Sequence, residues 1–297
     1  MCEFKRRVFF DKKGKRGFLT LLFLLLFPAT LIPEGTNHKK IPQKNIQQLI
    51  EELGDSDFIV NYQAGKKILK IGKEAIPYLI QALNSPKSRI RFSSIILLEQ
   101  LKAKKAIPEF INIFKDKKRK KRERVACAFA LGKLQAKEAS EVLIEGLNEN
   151  SNSIKTACIM SLGMLKEERA VPYLLKFIEE KEKQIGQVAL RALKEIGDRG
   201  IPQLQEIIEK GGMKDKLLAL KVLGEIKSEK SIEVLKKILK SENKYLAVSS
   251  AYILSTIGKT DGKPVAVKLI KDKDPKIRTF AMKTLQNIKK IENGGEE

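Results

Sequence analysis

The feature that most constrains this chain is that it repeats itself about every thirty residues. "AIPYLIQALNSP" at 75–86 returns as "AVPYLLKFIEEK" at 170–181, with weaker copies "AIPEFINIFKDK" from 106 and "GIPQLQEIIEKG" from 200. One slot of the repeat holds Pro77, Pro108, Glu141, Pro172, Pro202, Glu233 and Pro264, at steps of 31, 33, 31, 30, 31 and 31 residues. An earlier copy, "NIQQLIEELG" from Asn45, keeps the pattern without the Pro. Periods of this size mark arrays in which no unit buries its apolar face alone.

Each unit carries two helical patterns. In the first, two apolar columns lie four residues apart, on one helix face. They are Leu49, Leu79, Phe110, Leu143, Leu174, Leu204, Leu235, Ala266 and Leu53, Leu83, Phe114, Leu147, Ile178, Ile208, Leu239, Ile270. Pro suits the first turn of such a helix, where its missing N–H would have no partner. In the second pattern a Leu column runs Ile68, Leu98, Leu131, Leu162, Leu193, Leu223, Leu254, Leu285. Four residues before it every copy is small: Ala64, Ser94, Cys127, Cys158, Ala189, Ala219, Ser250, Ala281. A small residue once per helix predicts close approach of a neighbouring helix. The expected fold is all-α, a solenoid of about eight stacked helical hairpins sharing one continuous core.

"AIPYLIQAL", a basic residue early in the second helix, and "ACAFALGKL" resemble HEAT-like repeats of the type also found in phycobiliprotein lyases. The basic slot holds Arg91, Arg124, Lys155, Lys216 and Arg278, while Gly186 and Ala247 depart from it. The resemblance covers roughly 45–291 and implies a HEAT-like or armadillo-type superhelix. It also implies a family of scaffolds and adaptors with a few enzymes, so fold alone does not give activity. Two enzymatic alternatives follow from the resemblance: iron-dependent hydroxylases with His-Glu ligand pairs, and lyases acting on a bulky apolar chromophore. The single His, His38, cannot supply the first. Cys127 and Cys158 fill the small-residue slot, which argues against the second. No catalytic residue, metal site or cofactor is expected. The Gly-Lys pairs of "LGKLQAKEAS" and "IGKTDGK" lack P-loop spacing and are expected to close second helices.

Residues 1–35 are a different kind of sequence. A basic leader with seven Lys or Arg between Lys5 and Arg16 precedes the uncharged apolar run Phe18–Ile32. That order is the layout of a secretory signal or signal-anchor. The Lys/Arg bias places the leader in the cytoplasm and the repeats outside it, in an envelope of bacterial type. Residues 36–44 read as a linker, 45–291 as the solenoid and 292–297 as a polar tail. The charge is +23, from 47 Lys and 12 Arg against 36 acids. Lys presents point charges rather than the bidentate fork that reads bases, so anionic lipid or a cell-wall polymer is a better-matched anion than nucleic acid for an exported chain.

Two departures from the repeat point to a partner. Second-helix slots that are polar or charged in repeats 5, 6 and 8 (Gln187, Arg191, Glu195, Lys221, Glu225, Lys283, Asn287) hold Phe92, Ile96, Val125, Phe129, Met160 and Met164 in repeats 2–4. An apolar strip of this kind is the expected contact surface for a protein or peptide. Beside it lies "KDKKRKKRER", whose Lys117, Lys118, Arg119, Lys120, Lys121, Arg122 and Arg124 make a candidate anion-binding edge. The leading expectation is a non-enzymatic interaction scaffold, exported or membrane-anchored, for an amphipathic acidic partner on its concave face. The alternative is an anion-binding module.

Overall fold

Why each repeat becomes a hairpin can be followed from its caps and its buried columns. The structure is a computed structural model and describes residues 43–178 and 183–294. The basic leader, its apolar run, Cys2 and His38 lie outside the described residues. Among those described there are sixteen α-helices and no strand. The first helices of the eight hairpins are α1 (Gln43–Glu52), α3 (Ile76–Ala82), α5 (Ile107–Lys115), α7 (Ser140–Gly146), α9 (Val171–Phe177), α11 (Ile201–Lys210), α13 (Glu229–Ile238) and α15 (Lys263–Leu269). The second helices are α2 (Phe58–Ile71), α4 (Ser88–Gln100), α6 (Lys121–Lys133), α8 (Asn152–Leu165), α10 (Lys183–Ile196), α12 (Met213–Ile226), α14 (Lys244–Thr256) and α16 (Pro275–Glu292). The helices thus begin two residues before the expected solenoid boundary and end one beyond it.

Pro sits in the first turn of α3, α5, α9, α11 and α15. Where the slot is Glu, Glu141 lies in the first turn of α7, where a negative charge meets the positive end of the dipole, whereas Glu233 falls past the first turn of α13 and Glu229 holds that place. Several second helices are opened by a side-chain cap. The Asp57 carboxylate accepts from Ile59 N at 2.8 Å, and Asp274 does the same for Lys276 N at 2.8 Å. Asn243 Oδ1 accepts from both Tyr245 N and Leu246 N.

The small-residue column is fully buried in all eight repeats, and the first apolar column of the first helices is buried throughout. The Leu column is buried from Ile68 to Leu254; Leu285, in the last described repeat, is half-buried. Successive second helices pack on each other, α6 against α8 most extensively. Gly132 marks that contact: a Cβ there would lie 2.7 Å from Ser161 Cα. A Cβ at Gly163 would lie 2.9 Å from Ala192 Cα, and one at Gly224 would collide with Ile253 Cγ2. Gly132 therefore does not stop its helix, as "LGKL" suggested; it lets two backbones approach. Gly258, in "IGKT", does have the left-handed φ of 83° that ends a helix.

Every junction between repeats turns on a left-handed residue four positions after the Leu column. Gly72, Gly197 and Gly258 serve three junctions; Lys102, Gln135, Lys166 and Lys227 serve the other four, at φ of 52–57°. In five of the eight hairpins the basic slot has a common task, whereas Lys155 Nζ in the fourth lies 5.5 Å from the Phe177 ring centroid. Arg91 Nη1 donates to Ser85 O and Pro86 O at 2.7 and 3.0 Å. Arg124 Nε donates to Phe114 O at 2.7 Å, Lys216 Nζ to Glu209 O at 2.9 Å, and Arg278 Nη1 to Asp272 O at 2.8 Å. Asn61 holds the same slot in the first repeat and donates to Leu53 O. The slot satisfies carbonyls left orphaned where the first helix ends. Gly186 departs for a visible reason: a Cβ would meet Ile178 O at 2.8 Å, so backbone lies where a side chain would go.

Candidate interaction surface

Phe92 and Ile96 lie on α4, Val125 and Phe129 on α6, Met160 and Met164 on α8. These three helices pack in sequence, so the six residues share one face. Five of them are half-buried; Val125 is buried at 8% exposure and forms the floor of the strip rather than its surface. Cations lie over its rings. The Arg122 guanidinium is 5.3 Å from the Phe92 centroid and Lys133 Nζ is 5.5 Å from that of Phe129, within cation–π range. Farther along the stack the corresponding Gln187, Arg191, Glu195, Lys221 and Lys283 are exposed. The change from apolar to polar and charged side chains is thus a property of the folded surface.

Tyr62 on α2 occupies the slot of Phe92 and Val125 in the first repeat, with Lys66 Nζ 6.0 Å from its ring. It extends the lining by one repeat. The signal was present in the column, since no other repeat places Tyr there.

The basic run divides into two populations. Lys117, Lys118, Lys120, Lys121 and Arg122 are exposed in the α5–α6 turn and the start of α6. Arg119 reaches to Leu83 O at 3.1 Å and Asn84 Oδ1 at 3.2 Å. Arg124 is buried, bonded to Phe114 O and Glu149, with its guanidinium 5.3 Å from the Phe114 ring. It serves the hairpin and is not free to meet an external anion. The Arg124 hydrogen bond in turn holds the Glu149 carboxyl below its ordinary range.

The run conceals a buried acid. Glu123 has no exposed surface and accepts from Arg91 Nε at 3.0 Å and Nη2 at 2.9 Å, with Ser88 Oγ as a third donor. Its column otherwise reads Val60, Ile90, Ile154, Ile185, Asp215, Leu246 and Ile277. A carboxylate in that company requires its charge to be met, and the bidentate Arg91 does so. The pair bridges repeats 2 and 3.

Cys127 and Cys158 are buried free thiols, and burial pushes both upward from the ordinary thiol range. Cys158 Sγ and Phe114 crowd the position a Gly146 Cβ would take. These are packing residues. Among the described residues no cluster of three or more His, Cys, Asp or Glu side chains could hold a metal ion. No described helix is long and apolar enough to cross a membrane.

The pattern of HEAT repeats matches residues 46–127 and 117–194. The chain belongs to the HEAT-repeat family. No curated protein matches it by sequence. Among solved structures, this HEAT-repeat chain is similar to human deoxyhypusine hydroxylase in complex with glycerol, at 18% identity over 83% of this chain and 96% of that one, TM-score 0.38. An engineered protein is 17% identical over 82% and 78%, TM-score 0.40. The complex of CpcE and CpcF of phycocyanin lyase from Nostoc sp. PCC7120 is 21% identical over 88% and 92%, TM-score 0.29.

Proposed function

We propose that this HEAT-repeat chain is a non-enzymatic interaction scaffold, exported or anchored by its leader, that binds an amphipathic acidic protein segment along the second helices of repeats 2–4. One observation carries the reading. Phe92, Ile96, Phe129, Met160 and Met164 keep apolar surface in reach of solvent where repeats 5, 6 and 8 present charge. Val125 supports them from beneath. Arg122 and Lys133 over the aromatic faces, with Lys117, Lys118, Lys120 and Lys121 at the mouth of α6, favour a partner that carries carboxylates beside its apolar side chains. Apolar contact supplies affinity, and the basic edge speeds encounter and sets orientation. Met adds a side chain that adapts to more than one shape.

The test compares two charge insertions on the same face. A partner recovered from the native envelope by a photocrosslinker beside the strip is measured against Phe129→Asp and Lys221→Asp, with thermal melting as the folding control. Phe129→Asp is expected to weaken binding by at least about tenfold, because it puts a charge where water is excluded. Lys221→Asp is expected to leave affinity within about twofold, as a rim substitution does. Equal losses in both variants, or none in Phe129→Asp, reject the strip as the site.

The exposed lysines of the α5–α6 turn favour a second reading, an anion-binding module for anionic lipid, a cell-wall polymer or nucleic acid. It differs in its response to salt. Binding that rests on those lysines falls steeply as ionic strength rises, whereas strip binding loses mainly association rate.

A further inference from the structure

The first described repeat carries an apolar patch distinct from its siblings. Phe58 and Ile59, at the start of α2, are 70% and 64% exposed, and Tyr62, one turn on, is 39% exposed. No other large apolar residues among those described are as exposed as the first two. Phe58 and Tyr62 stack with ring centroids 6.0 Å apart, which holds them as one surface. The equivalent positions of later repeats are mostly polar: Ser88 and Arg89, Lys121 and Arg122, Asn152 and Ser153. An outermost repeat ordinarily presents a polar face to water. Here the face is apolar at the tip, where the exposed Asp55 and the N-cap Asp57 adjoin it, and basic behind it. "FIVNYQAGKKILKI" contains no acid, and Lys66, Lys67 and Lys70 are exposed along the helix.

We infer that repeat 1 docks on an anionic lipid surface, with Phe58 and Ile59 entering the headgroup boundary, Tyr62 at the interface and Lys66, Lys67 and Lys70 over the phosphates. The inference rests on the proposed anchoring by residues 1–35. Two observations choose lipid over other occupants. The helix behind the patch carries only positive charge, which suits an anionic bilayer, and aromatic and aliphatic tips backed by lysines are the composition of interfacial helices. The second is reach. Only ten residues, 33–42, separate the apolar run Phe18–Ile32 from α1, and ten residues span at most roughly 33–36 Å. A chain anchored through Phe18–Ile32 has at most that length of linker before α1.

The chain has no Trp, so a single one reports on its own position. Full-length Phe58→Trp and Tyr173→Trp proteins are mixed with phosphatidylglycerol–phosphatidylcholine vesicles whose acyl chains are brominated. Tyr173 is a matched control on α9, equally exposed to Tyr62 and likewise beneath a lysine. The expected result is co-sedimentation of both proteins, with a blue shift and loss of emission for Phe58→Trp alone. In phosphatidylcholine alone that loss is expected to shrink while co-sedimentation persists. Co-sedimentation with Phe58→Trp unquenched, or with both proteins quenched alike, overturns the docking and leaves the anchoring intact. Absence of co-sedimentation overturns both. A blue shift of Phe58→Trp that grows with protein concentration before lipid is added assigns the patch to a second copy of the chain and also overturns the docking.

Discussion

At the turn between repeats 4 and 5, Arg169 grips Glu167 through Nε at 2.8 Å and Nη2 at 3.1 Å. These bonds lower the Glu167 carboxyl from 4.5 to about 2. A carboxyl depressed in the folded state binds its proton more readily when unfolded, so its contribution is complete above about pH 4.5 and is lost as pH falls towards about 2. Arg169→Ala is therefore expected to flatten this part of the acid limb. Urea midpoints read across that window should fall less in the variant than in the parent; equal falls would show that the pair does not set it. Single residues also show where sequence is easy and hard to read. Cys127 and Cys158 were legible as packing residues because Ala and Ser fill their column elsewhere. Glu123 was harder, hidden in a run of cations that read as an anion-binding edge, although its column, mostly Ile and Leu, marked the position as interior. Arg124 was assigned to the anion-binding edge for the same reason: composition cannot distinguish a cation facing water from one bonded to the carbonyl of Phe114 and to Glu149.

Among the elements, the helices were legible and the joints were not. Buried columns recur in every copy, so both helices of each hairpin follow from spacing alone. The joints need a left-handed residue, and Gly announces it at three of the seven described. At Lys102, Gln135, Lys166 and Lys227 nothing in the side chain does, and the conformation is imposed by the packing on either side. A non-Gly residue there is strained by roughly 1–2 kcal/mol, partly offset by the greater freedom Gly has when unfolded. Lys227→Gly, at an exposed joint with φ of 57°, is expected to raise stability by about 0.5–1 kcal/mol. The reverse change, Gly258→Ala at φ of 83°, is expected to lower it. Chemical denaturation of both variants checks the pair, and a change of the same sign in both would refute the assignment. Within the stacked layer, Leu162→Ala is expected to cost about 2–5 kcal/mol, since that side chain is fully buried. A loss below about 0.5 kcal/mol would mean the layer closes over the gap with little cavity penalty.

For the whole molecule, repetition makes architecture readable and function obscure. The columns describe how units meet, and only departures from them bear on a partner. The strip on α4, α6 and α8 was readable because later repeats show what the same slots hold when they face water. Val125 was misplaced as surface because column membership does not say how deeply one copy sits. The hairpin fasteners have a mechanical consequence. Asn61, Arg91, Arg124, Lys216 and Arg278 each tie the two helices of one hairpin together, whereas the joints between hairpins are left-handed turns. Under tension from its two ends, such a chain should yield one hairpin at a time. Each event should release roughly 90–100 Å, about thirty-one residues of extended backbone less the ~10 Å width of the stacked unit. Hairpins 5 and 7, where Gly186 and Ala247 leave the fastening slot without a donor side chain, should yield at the lowest force. An optical trap would show a staircase of small, equal rips; a single rupture spanning the whole array would mean that the joints, and not the hairpins, bear the load.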